Sequence, residues 1–352
     1  MKSYDYLIVG QGIAGSLLAY FLHHAGAGVL IVDDGNPHAA SKVNMGLMNP
    51  IFGRKLKPAW MVDTLFPFAQ DTYTKIGGLL GERFYFPMNL IRFFVDARQR
   101  RLWEKRQQEA AVQPFISPTQ ELEAYAAYVN FPYGGVEIQG AAVVDVGRML
   151  KRLRSWFQQK HLLLEEVFSP ADLLIREDGV SWKSHRFSRV IFCEGHRARQ
   201  NPYFSWLPFS PVKGETAVLR CPVLPAKKII HKGIFLCPMW QAHFRAGSTH
   251  NHQDLSENVT EAGRAELQQK INDLLKVPYE IIDIQAGVRP TLQDNRPVMG
   301  IHPQHSRIGI LNGFGSKGIS QAPYFARRFC DFLLLNRPIP EEVSLTRFVT
   351  QS

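Results

Sequence analysis

The sequence predicts a mixed α/β (α+β) chain in which a Rossmann-type dinucleotide-binding domain is interleaved with a second domain built on an antiparallel sheet. Three observations predict it. The chain opens on an apolar strand, a GxGxxG turn and an apolar helix. It closes on the same order of strand, glycine turn and helix, over residues 307–335. Between the two lies aromatic sequence broken at short intervals by turn residues. The expected division is 1–50, 138–212 and 284–352 for the dinucleotide domain, with 51–137 and 213–283 for the second domain.

Residues 4–9 begin polar and end apolar, with no Pro or Gly, and predict a buried strand. Gly10-Gln11-Gly12-Ile13-Ala14-Gly15 follows, and residues 16–22 predict a helix. Gly10 makes the tight turn, Gly12 lets a pyrophosphate approach the backbone, and Gly15 lets the helix pack on the strand. The first helical turn, with Ile13 and Ala14, presents free N–H groups and a positive dipole end to phosphate. A second apolar run, residues 29–32, ends at Asp33-Asp34. An acid about 20 residues beyond the glycines is placed to hold a ribose hydroxyl, which is assigned to Asp33 with Asp34 as its solvent-facing neighbour. GxGxxG alone also occurs in ordinary glycine-rich turns. Strand, helix and acid together point to a dinucleotide.

Composition limits the remaining classes. With 45% hydrophobic and 20% charged residues over 352 positions, the chain can fill a core and is not of the disordered class. No apolar run approaches the roughly 18 residues that span a bilayer, and no basic-then-apolar leader opens the chain. No membrane partner and a cytoplasmic location are therefore expected. Cys193, Cys221, Cys237 and Cys330 show no CxxC pair, so neither a metal site nor a disulfide framework is expected. The balance of 41 Lys plus Arg against 31 Asp plus Glu gives +10 and would draw anionic partners. Its local clusters, among them Arg54-Lys55-Leu56-Lys57 and the stretch from Arg98 to Arg106, fit solvated helix faces in most cases.

Taken in order, residues 39–47 predict a small polar loop, 59–76 a helix, and 84–87 and 90–95 strands. Residues 98–112 predict one charged surface helix. Residues 141–144 predict a strand, and Asp145 is placed to cap a helix over 146–158. Residues 162–167 predict a short strand, 173–176 and 180–183 a hairpin around Asp178-Gly179, and 189–192 a buried strand ending in Cys193-Glu194-Gly195. Residues 216–220, 228–230 and 234–236 predict the antiparallel sheet, 258–275 a helix, 281–286 a strand, and 307–312 a strand feeding the final helix over 319–335. The last turn, Gly313-Phe314-Gly315-Ser316-Lys317-Gly318-Ile319, holds three glycines at a helix start. That exceeds what a cap needs and builds a backbone surface that can approach a flat ring.

These stretches, with Ala286-Gly287-Val288-Arg289-Pro290 and Pro297-Val298-Met299-Gly300, fall in the order seen in FAD-dependent oxidoreductases related to D-amino-acid oxidase, glycine oxidase and sarcosine oxidase, and the chain resembles that family over nearly its whole length. Within the family the likeness is nearest to the oxidase domain of the bifunctional enzyme that makes 5-methylaminomethyl-2-thiouridine in tRNA. It rests on Ala40-Ser41 through Gly46-Leu47-Met48-Asn49-Pro50, Gly195-His196, Gly315-Ser316-Lys317-Gly318 and Ala322-Pro323. The methyltransferase half of that enzyme has no counterpart in these residues.

The resemblance implies non-covalent FAD as cofactor and a small amine or amino acid as substrate. Hydride would pass from the amine-bearing carbon to flavin N5, the imine would hydrolyse, and O2 would be the electron acceptor. It implies that Arg289 grips the substrate carboxylate through a planar two-pronged contact, the alternative being a structural ion pair. Lys317 is assigned either to the flavin N1 and O2 edge or to solvent, and both readings stand at this stage. Ser41, Asn44, Met45 and Gly46 would approach pyrophosphate and ring through backbone groups, and Val167 would meet the adenine. Cys193, Glu194 and Gly195, and the turn from Gly315 through Ser316 and Gly318 to Ile319, complete the implied cofactor site. Phe235 departs from relatives that carry a tyrosine there, and His196 is read as structural. Three rivals stand beside this reading: FAD-dependent removal of a carboxymethyl group from a tRNA wobble uridine, an NAD(P)-dependent dehydrogenase, and a non-catalytic flavoprotein.

Overall fold

The computed structural model describes residues 2–351, and its first strand, Lys2–Val9, is central to a parallel sheet. The strand starts exposed and ends with Leu7 and Ile8 fully buried, because a parallel strand is covered on both faces. Val29–Asp33 pairs with it on one side and is itself flanked by Leu163–Glu165. His185–Phe192 pairs on the other side and passes its C-terminal half to Ile308–Asn312, again in parallel. Three separated stretches of chain thus build one sheet. The predicted hairpin is present as Leu174–Arg176 and Gly179–Trp182, lying against the N-terminal half of His185–Phe192.

Helices Ile13–His24, Val62–Leu80, Val146–Gln159 and Gly318–Leu335 cover one face of this sheet. The third of these buries Met149, Leu150, Leu153 and Phe157, a helical stripe, and Asp145 caps it by accepting from the Arg148 N–H at 3.1 Å. The opposite face is filled by Trp182, Phe187, Phe192, Phe204 and Leu345.

The second sheet runs Glu280–Arg289, Val212–Arg220, His243–Gly247, Phe235–Pro238, Ile229–His231, Leu90–Phe93 and Gly135–Ile138. It is antiparallel, as expected, at every pairing but one: Ile229–His231 runs parallel to Leu90–Phe93. That pairing joins segments far apart in the chain, where no hairpin turn dictates direction. Alternation sorts its side chains. Ile91, Phe93, Ala217, Leu236 and Ala246 pack with Leu267, Ile271 and Leu274 of helix Glu261–Leu274. The other face, with Arg92, Thr216, His231 and Phe235, turns towards the parallel sheet across a cavity.

Three expectations are corrected. Residues 39–47 hold a short helix, Ala40–Val43, and a strand, Leu47–Met48, that pairs with Ala142–Val144 rather than forming a loop. The charged helix stops at Arg106, after which Val112 is fully buried and draws the chain inward. Strands His243–Gly247 and Val298–Ile301 were not anticipated; each carries a glycine that dilutes its pattern.

Candidate active site

A cavity of about 1470 Å³ lies between the two sheets, above the roughly 300–1,000 Å³ of a drug-sized site. Both glycine turns line it. At the first, Gly10 has φ +100°, and a Cβ there would stand 2.6 Å from the Cys193 carbonyl oxygen, so only glycine makes this turn. Helix Ile13–His24 starts at Gly12 without a side-chain cap. The Ile13 N–H donates to Ser41 Oγ at 3.1 Å, and the rest of the first turn is open to an anion. A Cβ on Gly12 would fill this cradle, 3.3 Å from Ser41 Oγ.

The last turn repeats the device. Helix Gly318–Leu335 starts at Lys317, again with no side-chain cap. A Cβ on Gly318 would lie 3.5 Å from Ile13 Cγ2, so the two helix starts stand side by side although their sequences lie at opposite ends of the chain. Gly315, Ser316, Lys317, Gly318 and Ile319 all face the cavity. Two uncapped helix starts, apolar walls and an acid at a strand end suit a dinucleotide whose far end carries a flat ring. The donor set fits FAD.

Asp33 ends its strand on the cavity wall with both oxygens engaged. Oδ2 accepts from the Gln11 N–H at 2.7 Å; Oδ1 accepts from the Gly35 N–H at 2.9 Å and from Arg154 Nη1 at 2.7 Å. Those bonds lock the carboxylate to the glycine turn and leave it one open acceptor direction. Asp34 does not face solvent, as the sequence suggested. It also lines the cavity and accepts from Arg197 Nη1 at 2.6 Å. Burial raises its carboxyl, but hydrogen bonds from Arg197 and the Asn36 N–H outweigh that and hold it below the usual carboxylate range.

Ser41, Asn44, Met45, Val167, Cys193, Glu194 and Gly195 line the same cavity. Val167 is 81% exposed, at its outer end. Burial raises the Cys193 thiol, and it pushes Glu194 up to about 7 against the Asn201 amide bond (2.7 Å) and Arg197. Two residues of these stretches are not on the wall: Gly15 keeps the packing role expected of it, and Gly46 does not reach the cavity, which corrects its expected approach to pyrophosphate and ring. A Cβ on Gly15 would fall 1.9 Å from the Gly10 carbonyl oxygen, so its place is helix packing. Gly46, at φ +70°, packs against Val144, whose N–H bonds its carbonyl at 2.7 Å.

Arg289 ends the longest strand of the second sheet and enters the cavity. Its Nη2 donates to Ser248 Oγ at 2.6 Å and its Nη1 to the Lys213 carbonyl at 3.3 Å. Gly214 admits the guanidinium: a Cβ there would stand 2.0 Å from Nη2. Among the described residues no carboxylate pairs with Arg289, so the ion-pair alternative is not observed. Burial lowers its pKa to about 10, leaving it charged at neutral pH. Lys317 is half-buried with Nζ 5.2 Å from the Phe52 ring centre, and burial, then Arg296, depress its ammonium. The Phe235 ring lies tilted by 34° against His231 with centroids 4.0 Å apart, and His196 stands 4.0 Å from Glu257.

Sequence reading missed Arg92, His231, Arg154, Arg197 and Gly214. Two had a signal: Arg92 interrupts the apolar run Leu90-Ile91-Arg92-Phe93-Phe94, and Gly214 lies inside a strand, which marks close approach. Arg154 and Arg197 act through contacts across the fold and had none.

The family model described as FAD dependent oxidoreductase, DAO, matches residues 5–332. Glycine oxidase of Bacillus subtilis is 22% identical, over 97% of this chain and 95% of its own length. The tRNA 5-methylaminomethyl-2-thiouridine biosynthesis bifunctional protein MnmC of Marinobacter nauticus is 24% identical over 92% of this chain but only 55% of its own length. Among solved structures, glycine oxidase from Geobacillus kaustophilus superposes with a TM-score of 0.79 at 19% identity, covering 99% of this chain and 98% of that one. Iminodiacetate oxidase from Chelativorans sp. BNC1 does so with 0.79 at 20% identity, covering 96% and 98%.

Proposed function

The chain belongs to the DAO family of FAD-dependent oxidoreductases, and from that premise we propose that it oxidises the C–N bond of a small amine or amino acid carrying a carboxylate. The observation that carries this reading is Arg289, a buried guanidinium without an acid partner in the cavity that both glycine turns share. A planar fork of N–H donors pairs with a carboxylate through two parallel bonds. FAD, when bound, supplies the acceptor for hydride leaving the amine-bearing carbon; water then hydrolyses the imine, and O2 is the expected final oxidant.

The chain's own residues prepare that step. Gly12, the open first turn behind it and Asp33 would hold diphosphate and ribose; Gly315 through Ile319 would meet the ring. Arg289 would fix the carboxylate and hence the orientation of the neighbouring C–N bond. Burial depresses the pKa of His231, so its imidazole is neutral near pH 7, while Arg289 remains charged. A second cation is disfavoured in such a place. The substrate amine is therefore driven to its neutral form, which supplies the lone pair that hydride loss requires. Anaerobic mixing with glycine, sarcosine and other carboxylate-bearing amines should bleach the flavin. Failure of every such amine to do so would sink the reading.

One observation favours a second reading, in which the amine is part of a tRNA. Two basic clusters that lie apart in the sequence meet at the cavity: Arg54, Lys55 and Lys57 line it beside Arg98, and Arg106 Nε bonds the Lys55 carbonyl at 3.1 Å. Exposed cations around an opening suit a phosphate backbone. Affinity for hypomodified tRNA that falls steeply with salt would support it; turnover of free glycine or sarcosine with no tRNA affinity would remove it.

A further inference from the structure

Arg92 is a second buried guanidinium on the same cavity, and neither glycine turn nor Arg289 accounts for it. It is 4% exposed, in mid-strand, with apolar neighbours on both sides in the chain. Nε donates to His231 Nδ1 at 3.2 Å and Nη1 to the Ile51 carbonyl at 3.4 Å. No carboxylate among the described residues reaches it. Glu137, one strand away, is taken by Lys228 at 2.7 Å, and Asp96, on the cavity wall, caps a helix at the Gln99 N–H. A guanidinium carries five N–H donors, and only two of this one's are engaged, on a residue that lines the cavity. A charge kept in so dry a place without compensation costs several kcal/mol and marks a group waiting for a counter-ion.

Sheet register fixes where that counter-ion would sit. Arg92 pairs with His231, His231 with Phe235, Phe235 with Gly247 and Gly247 with Thr216. Residues directly opposite each other share a face, and all five line the cavity. Three strand spacings of about 4.8 Å put the backbones of Arg92 and Gly247 about 14 Å apart. Arg289 is anchored beside Gly247, on Ser248. The cavity floor thus carries one guanidinium near each end, with the Phe235 and His231 rings between.

Resting on the amine-oxidase reading, we propose that the substrate is a dianion: an amine whose α-carboxylate pairs with Arg289 and whose second anionic group, carboxylate or phosphate, pairs with Arg92. An α-amino dicarboxylic acid and a secondary amine with a carboxylate on each side of nitrogen are the two simplest shapes. Arg92 would then be a specificity residue, with no part in the electron transfer.

The test compares aspartate, glutamate, iminodiacetate and phosphoserine with glycine and sarcosine on the FAD-loaded protein. The dianions should exceed the monoanions at least tenfold in kcat/KM, and the better of the carboxylate and phosphate arms identifies the second group. Arg92→Met should cost the preferred dianion about 100-fold and the monoanions less than threefold, with Arg92→Lys between. A binding readout needs no turnover: succinate or glutarate should perturb the flavin absorption spectrum at lower concentration than acetate, and Arg92→Met should erase that advantage. Equal losses on both substrate classes, or a wild-type protein that does not distinguish dicarboxylate from acetate, would overturn the proposal. Should Arg92→Met not fold, Arg92→Lys and the wild-type preference decide. A protein whose flavin no amine bleaches, yet which keeps the Arg92-dependent dicarboxylate response, would lose the oxidase reading and retain the second anion site.

Discussion

The two glycine turns use one backbone device in opposite electrostatic settings. Each runs from a buried parallel strand into a helix with no side-chain cap, and the two helix starts stand side by side at Ile13 and Gly318. The first is bordered by Asp33 and Asp34, which suit neutral ribose hydroxyls once the helix end has met the phosphates. The second is bordered by Lys317 and, behind it, Arg296. A cationic edge suits a ring that becomes more negative on reduction. On the proposed reading the same fold element would serve binding at one end of the cavity and redox tuning at the other, according to the side chains beside it.

The sharpest way to break that contrast is to close the first cradle. Gly12→Val should leave purified protein without flavin absorbance near about 450 nm, a loss of roughly 100-fold or more in FAD affinity, while the apoprotein keeps a cooperative melt. Retained yellow colour would remove the first turn from the site. Next in size, Arg289→Ala should lower kcat/KM for a carboxylate-bearing amine by about 30- to 1,000-fold, or about 2–4 kcal/mol, the range for breaking a buried charged hydrogen bond. Unaltered steady-state kinetics would return Arg289 to a structural role. At the second turn, Lys317→Met should lower the flavin reduction potential by on the order of 30 mV, about 1.4 kcal/mol for two electrons. An unmoved potential would put the ammonium out of reach of the ring.

The smallest effect concerns pH. Glu194 has a folded-state pKa of about 7 against 4.5 as its ordinary value, mainly because it is buried. Below pH 4.5 both states are protonated and the group is silent. Between 4.5 and about 7 the folded chain holds a proton that the unfolded chain has released, so stability falls as pH rises, and above 7 the loss is complete. Urea midpoints of the apoprotein should decline across that window, and Glu194→Gln should flatten the decline. Parallel curves for the two proteins would contradict the assignment.

The parallel sheet was legible in the sequence because its strands are continuous apolar runs bounded by glycines, and because Asp145 announces its helix. The second sheet was less so. Its parallel pair at Ile229–His231 depends on a partner far away in the chain, and strand His243–Gly247 alternates Phe244 and Ala246 with a half-buried arginine and a glycine. The site divides in the same way. Glycines and Asp33 betray themselves by spacing, since backbone geometry demands them at fixed offsets. Arg154 and Arg197 do not, because their partners, Asp33 and Asp34, are set by folding alone. Gly46 was overread: the backbone requires it, at φ +70°, but it does not line the cavity, whereas Gly15 holds the packing place expected of it.

The most direct measurement is a crystal structure of the protein with FAD. The account predicts one FAD per chain, its diphosphate at Gly12 and the first turn of helix Ile13–His24, its ring over Gly315 to Gly318 with Arg289 facing the substrate side. An FAD that meets only one of the two turns, or a different ligand at each, would contradict it.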